Sequence, residues 1–444
     1  MAKVGGLADV VGALPKYQRK FADVETSVVM PWYNKPFVSE NKFEIVFDGF
    51  IHQQERMYNV QVHREVSDVL GFELFLVKIP GLLDRDTPYG YADESYQFLA
   101  FQHAVLHWLS AMKILPDVLH CHDYHTGLVP FMTKFCPEFS FLKNVKTIGT
   151  IHNGEYQGQM RWSMFDAFPW VDGNAPLGLL DWNGFINPLA AMIKCCNAFN
   201  AVSGGYMEEL YQNFRGLESL VRQEHAKAHG IINGIDTEVW DPATDSFLNH
   251  NYDKSSVGEG KWKNKEELCK EYGIRPDLPL FAFIGRFAGE KGADLLPEIV
   301  WKSIQQTEGG INIMILGSGD KRIENRLREL NHTFVNFALD LGYKEYLSHK
   351  IYAGADFLLM PSRVEPCGLN QMYAMRYGTV PVVRYTGGLK DTVKDISSGG
   401  AGLNFTVAGA DDVVHAIHRG RSIYYHKSLI DNLIRANMNF DFSW

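Results

Sequence analysis

The chain has 444 residues, of which 46% are hydrophobic and 21% charged, and its net charge is −9 at neutral pH. That length exceeds what one core normally supports, so two domains are expected, and the negative balance argues against nucleic acid as a partner. No apolar run reaches the ~18 residues of a membrane span, and the six cysteines show no C-x-x-C spacing. Asp9 interrupts the apolar opening residues and no cleavage pattern follows. We therefore expect a cytoplasmic protein with reduced thiols and no membrane contact.

In chain order, short β-rich runs alternate with helical stretches. The first half offers TSVVMP, FEIVFDGF, FELFLVKI, DVLHCHD, TIGTIHN and AFNAVS as strands. Between them, SYQFLAFQHAVLHWLSAMK predicts a helix with Phe98, Phe101, Val105 and Leu109 on one face. After about residue 240 comes DPATDSFLNHNYDKSSVGEGKWKNKEEL, polar and rich in Gly and Lys, which reads as a linker or surface excursion. The alternation then restarts with LFAFIGRF, INIMILGSG, DFLLMPS and TVPVVR. This pattern predicts α/β architecture with doubly wound parallel sheets in two units, residues 1–240 and 241–444. Ligands in such sheets bind where strand C-termini meet helix N-termini. VGGLADVV near the start echoes TGGLKDTV at residues 386–393, which supports two similar domains facing each other across a cleft. The second copy follows a good strand, so the first is expected to follow one too.

Six stretches carry chemistry. In PSRVEPCGLNQMYAMRYGTVPVVRYTGGLKDTV, Glu365 stands before a helix that Pro366 can open. The amides near Cys367, Gly368 and Leu369 could then hold hydroxyl or phosphate oxygens. Glu365 would accept from sugar hydroxyls or sit beside a developing cation; the plainer alternative is a capping acid. In FIGRFAGEKGADLL, Arg286 and Lys291 follow a strand on a glycine-rich turn and suit a diphosphate, unless they are simply a solvated basic loop. HCHDYHTGL crowds His120, His122, Asp123 and His125, but no second ligand set stands out and no metal site is expected. IHNGEYQG puts His152 and Asn153 at a strand end, and HGIINGID places Asn233 in an Asn-Gly turn. Lys3 with Gly5 and Gly6 reads as an anion-binding turn.

KVGGLADVVGALPK, HCHDYHTGL, IINGIDTEVWDPATD, GRFAGEKGADLL, GYKEYLSHKIYAGAD and SRVEPCGLNQMYAMRYGTVPVVRYTGGLKDTV occur in this order. Together they resemble the bacterial glycogen synthases and plant starch synthases over nearly the whole chain. The resemblance implies a glycosyltransferase of two Rossmann-like domains, the GT-B fold. It would transfer glucose, with retention, from a nucleotide diphosphate sugar to the non-reducing 4-hydroxyl of an α-1,4-glucan, without a metal or other cofactor. ADP-glucose is the expected donor, with UDP-glucose as the alternative. The N-terminal domain would serve the acceptor and the C-terminal domain the donor.

By matching motif, Lys3, Gly5, Gly6, Arg286 and Lys291 would belong at the donor phosphates and Tyr343 on the nucleoside base. Glu365 and the amides of Cys367, Gly368 and Leu369 would hold the glucose, with His152, Asn153, Asp123 and Asn233 lining it. A front-face displacement fits these groups; a double displacement would need Glu365 or Asp123 as nucleophile.

Some positions depart from the family pattern. A strand and acidic turn normally precede K-x-G-G-L and a returning helix follows the final stretch, so the first strand and last crossover helix are expected to be missing here. The loop after His152 reads NGEYQGQMRWSMFD where relatives carry an apolar NLAYQG-type run, which puts Glu155 near the acceptor side. Asn370 replaces a common Thr, and Tyr373 stands where many GT-B enzymes carry a second acid. These departures keep two other readings open: a related glucosyltransferase with another acceptor, or a catalytically silent glucan-binding protein.

Overall fold

Residues 5–20, 24–53 and 55–444 are described by a computed structural model, in which the chain separates into two units. One comprises Met1–Val202 and Met207–Ile231; the other comprises Ser203–Tyr206 and Ile232–Trp444.

The second unit is built on one parallel sheet of six strands. Its order is Phe337–Leu341, Asn312–Gly319, Leu280–Phe287, Phe357–Met360, Val380–Arg384, Leu403–Phe405. The runs Leu280–Phe283 and Phe357–Met360 are buried at every position, as strands covered on both faces must be. Phe281 and Phe357 stack across neighbouring strands with centroids 4.6 Å apart, joining the two halves of the sheet. Counted along this unit the order is 3-2-1-4-5-6, so the winding reverses between Leu280–Phe287 and Phe357–Met360. Ligands settle beyond the strand C-termini at such a reversal. The loops leaving these two strands touch there. Gly292, at φ +66°, would place a Cβ 2.2 Å from the Pro361 carbonyl oxygen, so only glycine fits. The amides of Arg363 and Val364 both donate to the Glu290 carbonyl.

The polar stretch after residue 240 is not a linker. Trp240, Leu248 and Tyr252 are buried, and Val257–Tyr272 is a helix of this unit. Its lysines mislead at the level of composition because two of them are buried. Lys261 Nζ donates to the carbonyls of Tyr352, Ala353 and Tyr377 and to Thr379 Oγ1, and burial pushes its pKa down to about 7. Lys265 pairs with Asp356 at 2.6 Å.

The first unit holds two four-stranded sheets. One is parallel, in the order Ala228–Gly230, Ala198–Ala201, Lys146–Ile151, Val118–His122. The other runs Ser27–Pro31, Glu73–Lys78, Arg56–Glu65, Phe43–Gln53; its first pair is parallel and the rest antiparallel. The antiparallel part was not expected, since Arg56–Glu65 was not read as a strand and forms a hairpin with Phe43–Gln53. The helix Glu94–Ala111 is buried nearly all round, not on one face: Gln97, Gln102 and His103 are covered as fully as Phe98 and Phe101. No helix among the described residues is long and apolar enough to cross a membrane.

Candidate active site

Each unit gathers its own group of the residues singled out in the sequence. In the second unit they lie beyond the strand C-termini at the winding reversal. Lys291 Nζ sits 2.7 and 2.8 Å from the two Glu365 carboxylate oxygens, and Ser362 Oγ donates to Glu365 Oε2 at 2.8 Å. The Glu365 side chain is 6% exposed and that of Lys291 28%, so the cation lies on the solvent side of the pair. Arg286 is more open and meets Glu290 at 2.8 Å.

Past Glu365 the chain makes a tight turn. Pro366 does not open a helix: the helix spans Asn370–Arg376, with Leu369 as its N-cap. The amides of Cys367, Gly368 and Leu369 are nevertheless left unused, donating to no protein group among the described residues. Gly368 takes φ +74°, and Gln371 Nε2 ties down the carbonyls of Cys367 and Gly368 at 3.1 and 2.8 Å. Unpaired amides beside a buried turn are costly unless a ligand oxygen takes them. Asn233 hydrogen-bonds through its backbone to the Cys367 thiol, which burial pushes up to about 12. The Gly387–Thr392 helix closes the turn from the other side. Gly388 N donates to the Glu365 carbonyl at 3.0 Å, and a Cβ on Gly388 would lie 2.3 Å from the Cys367 oxygen. Tyr343 follows the edge strand Phe337–Leu341 with 72% of its surface exposed.

In the first unit, His120 and His122 end one strand and His152 follows the strand beside it. His122 Nδ1 lies 2.9 Å from His152 Nε2, and His120 Nε2 lies 2.7 Å from Thr150 Oγ1. Asp123, at φ +54°, turns its carboxylate to accept from the His152 amide at 2.7 Å and the Asn153 amide at 3.4 Å. Burial dominates the electrostatics. It holds His120 and His125 at about 4, His152 at about 3 and His122 well below its usual range, so all four rings are neutral at pH 7. The same burial raises Asp123 to about 7, against the lowering effect of its two amide donors. Among the described residues His152 Nδ1 has no partner, which leaves it for a hydroxyl. No group of three or more His, Cys, Asp or Glu side chains among the described residues is placed to hold a metal ion.

Of the remaining predicted residues, Gly5, at φ +76°, caps the helix Gly6–Gln18, and Lys3 lies outside the described residues. Sequence reasoning missed Arg384, Ser362 and Ser203 as shaping groups and gave Asn370 no contact. Arg384 Nη1 donates to the carbonyls of Ser362 and Arg363, Ser203 Oγ donates to the Pro366 carbonyl at 2.6 Å, and Asn370 Nδ2 reaches the Ile284 carbonyl at 2.8 Å. Ser362 and Arg384 stand inside the quoted motif, where their polarity was a usable signal. Ser203 is far away in sequence and carried none.

The comparisons with known proteins agree across the whole chain. Residues 1–223 match the starch synthase catalytic domain family, and residues 264–419 match the glycosyl transferases group 1 family. A glycogen synthase of Flavobacterium johnsoniae is 46% identical over all of this chain and 94% of its own length. Glycogen synthase 2 of Geobacter metallireducens is 35% identical over all of this chain and 93% of its own. Among solved structures, the catalytic domain of starch synthase IV from Arabidopsis thaliana, bound to ADP and acarbose, superposes with a TM-score of 0.90 at 30% identity. That alignment covers all of this chain and 94% of that one.

Proposed function

The chain belongs to the family of starch synthases and bacterial glycogen synthases, and we propose that it transfers glucose from ADP-glucose to the non-reducing 4-hydroxyl of an α-1,4-glucan, with retention at C1. The observation that carries this reading is the turn beyond the winding reversal. There Lys291, Glu365 and three unused amides converge, a donor set suited to a diphosphate joined to a sugar. The relative that binds ADP and acarbose supports ADP as the nucleotide.

The roles follow from charge. Lys291 and Arg286 face the diphosphate as it leaves, each a preorganised cation of the kind that contributes roughly 3–4 kcal/mol to a transition state. Lys3 and the Gly5–Gly6 turn assist at the same phosphates, and Tyr343 offers its exposed ring to the base. Glu365, the amides of Cys367 to Leu369, and Asn233 hold the glucose. His152, Asn153 and Asp123 are assigned to line it, His152 as a neutral ring and Asp123 as a carboxyl about half protonated at pH 7. An imidazolium would oppose the positive charge growing at C1, and burial prevents it from forming.

In the step itself, the bond from C1 to the phosphate oxygen breaks while the acceptor oxygen bonds to C1 from the same face. The acceptor proton passes to the departing phosphate oxygen, so no separate base is required. The second unit thus serves the donor and the first the acceptor. The working compartment is the cytoplasm, a reading supported by six free, buried thiols.

The test is incorporation of labelled glucose into a glycogen primer, comparing ADP-glucose with UDP-glucose. Incorporation at least tenfold faster from ADP-glucose is expected. Preference for UDP-glucose would overturn the nucleotide, and no incorporation from either would overturn the reaction.

A further inference from the structure

The loop after His152 places Gly154 beside Glu155, and consecutive residues of one other loop meet both of them. A Cβ on Gly154 would lie 2.4 Å from Phe214 Cε2, so the phenylalanine ring fills the space a side chain there would need. The next residue, Arg215, gives its Nε to Glu155 Oε2 at 2.9 Å and its Nη2 to the same oxygen.

This second loop is held in shape with care. Arg215 stands at φ +51° and Gly216 at +92°, and a non-glycine residue in that region persists only where its surroundings fix it. Gln157 Nε2 donates to the carbonyls of Phe214 and Arg215, Glu218 Oε1 accepts from the amides of Phe214 and Gly216, and Trp182 Nε1 donates to the Gly216 carbonyl at 2.9 Å. The ion pair so positioned stays open to solvent, with Arg215 64% and Glu155 28% exposed. Exposed pairs add little to stability, so stability alone does not account for two loops shaped around this one. Among the described residues, Glu155 Oε1 and Arg215 Nη1 have no protein partner, and Tyr156 beside them is 56% exposed.

We propose that the Glu155–Arg215 pair, with Tyr156, sets acceptor specificity. The free carboxylate oxygen and guanidinium N–H bind neighbouring hydroxyls of the glucan, and the tyrosine ring takes the apolar face of a sugar. A planar fork beside an acceptor oxygen offers both hydrogen-bonding senses that vicinal hydroxyls need. This rests on the reading of the acceptor as an α-1,4-glucan.

The experiment measures acceptor KM for maltotriose, maltoheptaose and glycogen, with donor KM and Tm, using whichever nucleotide sugar supports transfer. The variants are Glu155→Ala, Arg215→Ala, their combination, Glu155→Gln, and the exchanged pair Glu155→Arg with Arg215→Glu. Each alanine variant is expected to raise acceptor KM 5- to 20-fold, the combination no more than the larger single effect, and Glu155→Gln at least threefold, with donor KM changed less than twofold. The exchanged pair should keep a native Tm but not recover acceptor KM. Acceptor KM within twofold of the native chain in all variants would overturn the proposal. So would an exchanged pair that recovers acceptor KM together with Tm, because a simple staple behaves that way. A native chain that transfers to none of the three acceptors would overturn the glucan reading itself, and the proposal with it.

Discussion

The two groups of site residues stand on similar scaffolds and solve opposite electrostatic problems. In the first unit, four histidines and an aspartate are packed together, and burial keeps the rings neutral and raises the aspartate to about 7. In the second, Lys291 and Glu365 pair directly at the edge of solvent. Both sit where parallel strands end, so the fold does not dictate the difference. What dictates it is whether an opposite charge arrives with the buried group. A neutral cluster suits an uncharged sugar, and a paired cation suits a diphosphate that can displace its partner.

The sharpest way to break this contrast is Lys291→Ala. It should lower kcat/KM for glucosyl transfer by roughly 10²–10³, the usual loss when one preorganised charge-stabilising group is removed. It should also lower Tm, because the Glu365 carboxylate, with a side chain only 6% exposed, keeps just the Ser362 hydroxyl. Gly388→Ala comes next. Its methyl would press on the Cys367 carbonyl, so we expect a loss of roughly 2 kcal/mol in urea unfolding and at least tenfold slower transfer.

Acid unfolding separates the two groups by sign. His120, His125 and His152 have folded values of about 4, 4 and 3, and His122 lies well below its usual range. The unfolded chain therefore binds more protons below pH ~6.5, and each ring makes stability fall as pH drops, by about 1.4 kcal/mol per unit towards its folded value. Asp123 opposes them. Its folded value of about 7 means the native state holds the extra proton, so its contribution falls as pH rises from ~4 to 7. The histidines outnumber it, so stability measured at pH 4.5, 5.5 and 6.5 should rise. Asp123→Asn should steepen that rise; a flatter profile would refute the neutral-cluster account. The smallest effect is expected for Arg286→Ala, whose exposed pair with Glu290 contributes under ~1 kcal/mol to stability. Its signature should be a donor KM raised about three- to tenfold.

How legible this was depended on the element. Four strands of the second unit's sheet could be read because they appear as apolar runs, whereas the edge strands Phe337–Leu341 and Leu403–Phe405, which are only partly buried, were not read. Arg56–Glu65 was missed because RMYNVQVHRE alternates, with polar residues on the open face of a hairpin. The helix Val257–Tyr272 was hidden by lysines, since composition cannot tell a solvated ammonium from Lys261, whose four acceptors come from two distant segments. At the site, Lys291 and Glu365 stood out singly, while their contact at 2.7 Å joins residues 74 positions apart and had no local signature. The neutral state of His152 was likewise unreadable, because it depends on burial that only the packed unit supplies.

The division of charge between the units is tested most directly by calorimetric titration of ADP into the native chain, Lys291→Ala and His152→Ala, with transfer rates measured alongside. The account predicts that Lys291→Ala weakens ADP at least tenfold. His152→Ala should leave ADP affinity within twofold while slowing transfer at least tenfold. Unchanged ADP affinity in Lys291→Ala, or an equal loss in both variants, would contradict it.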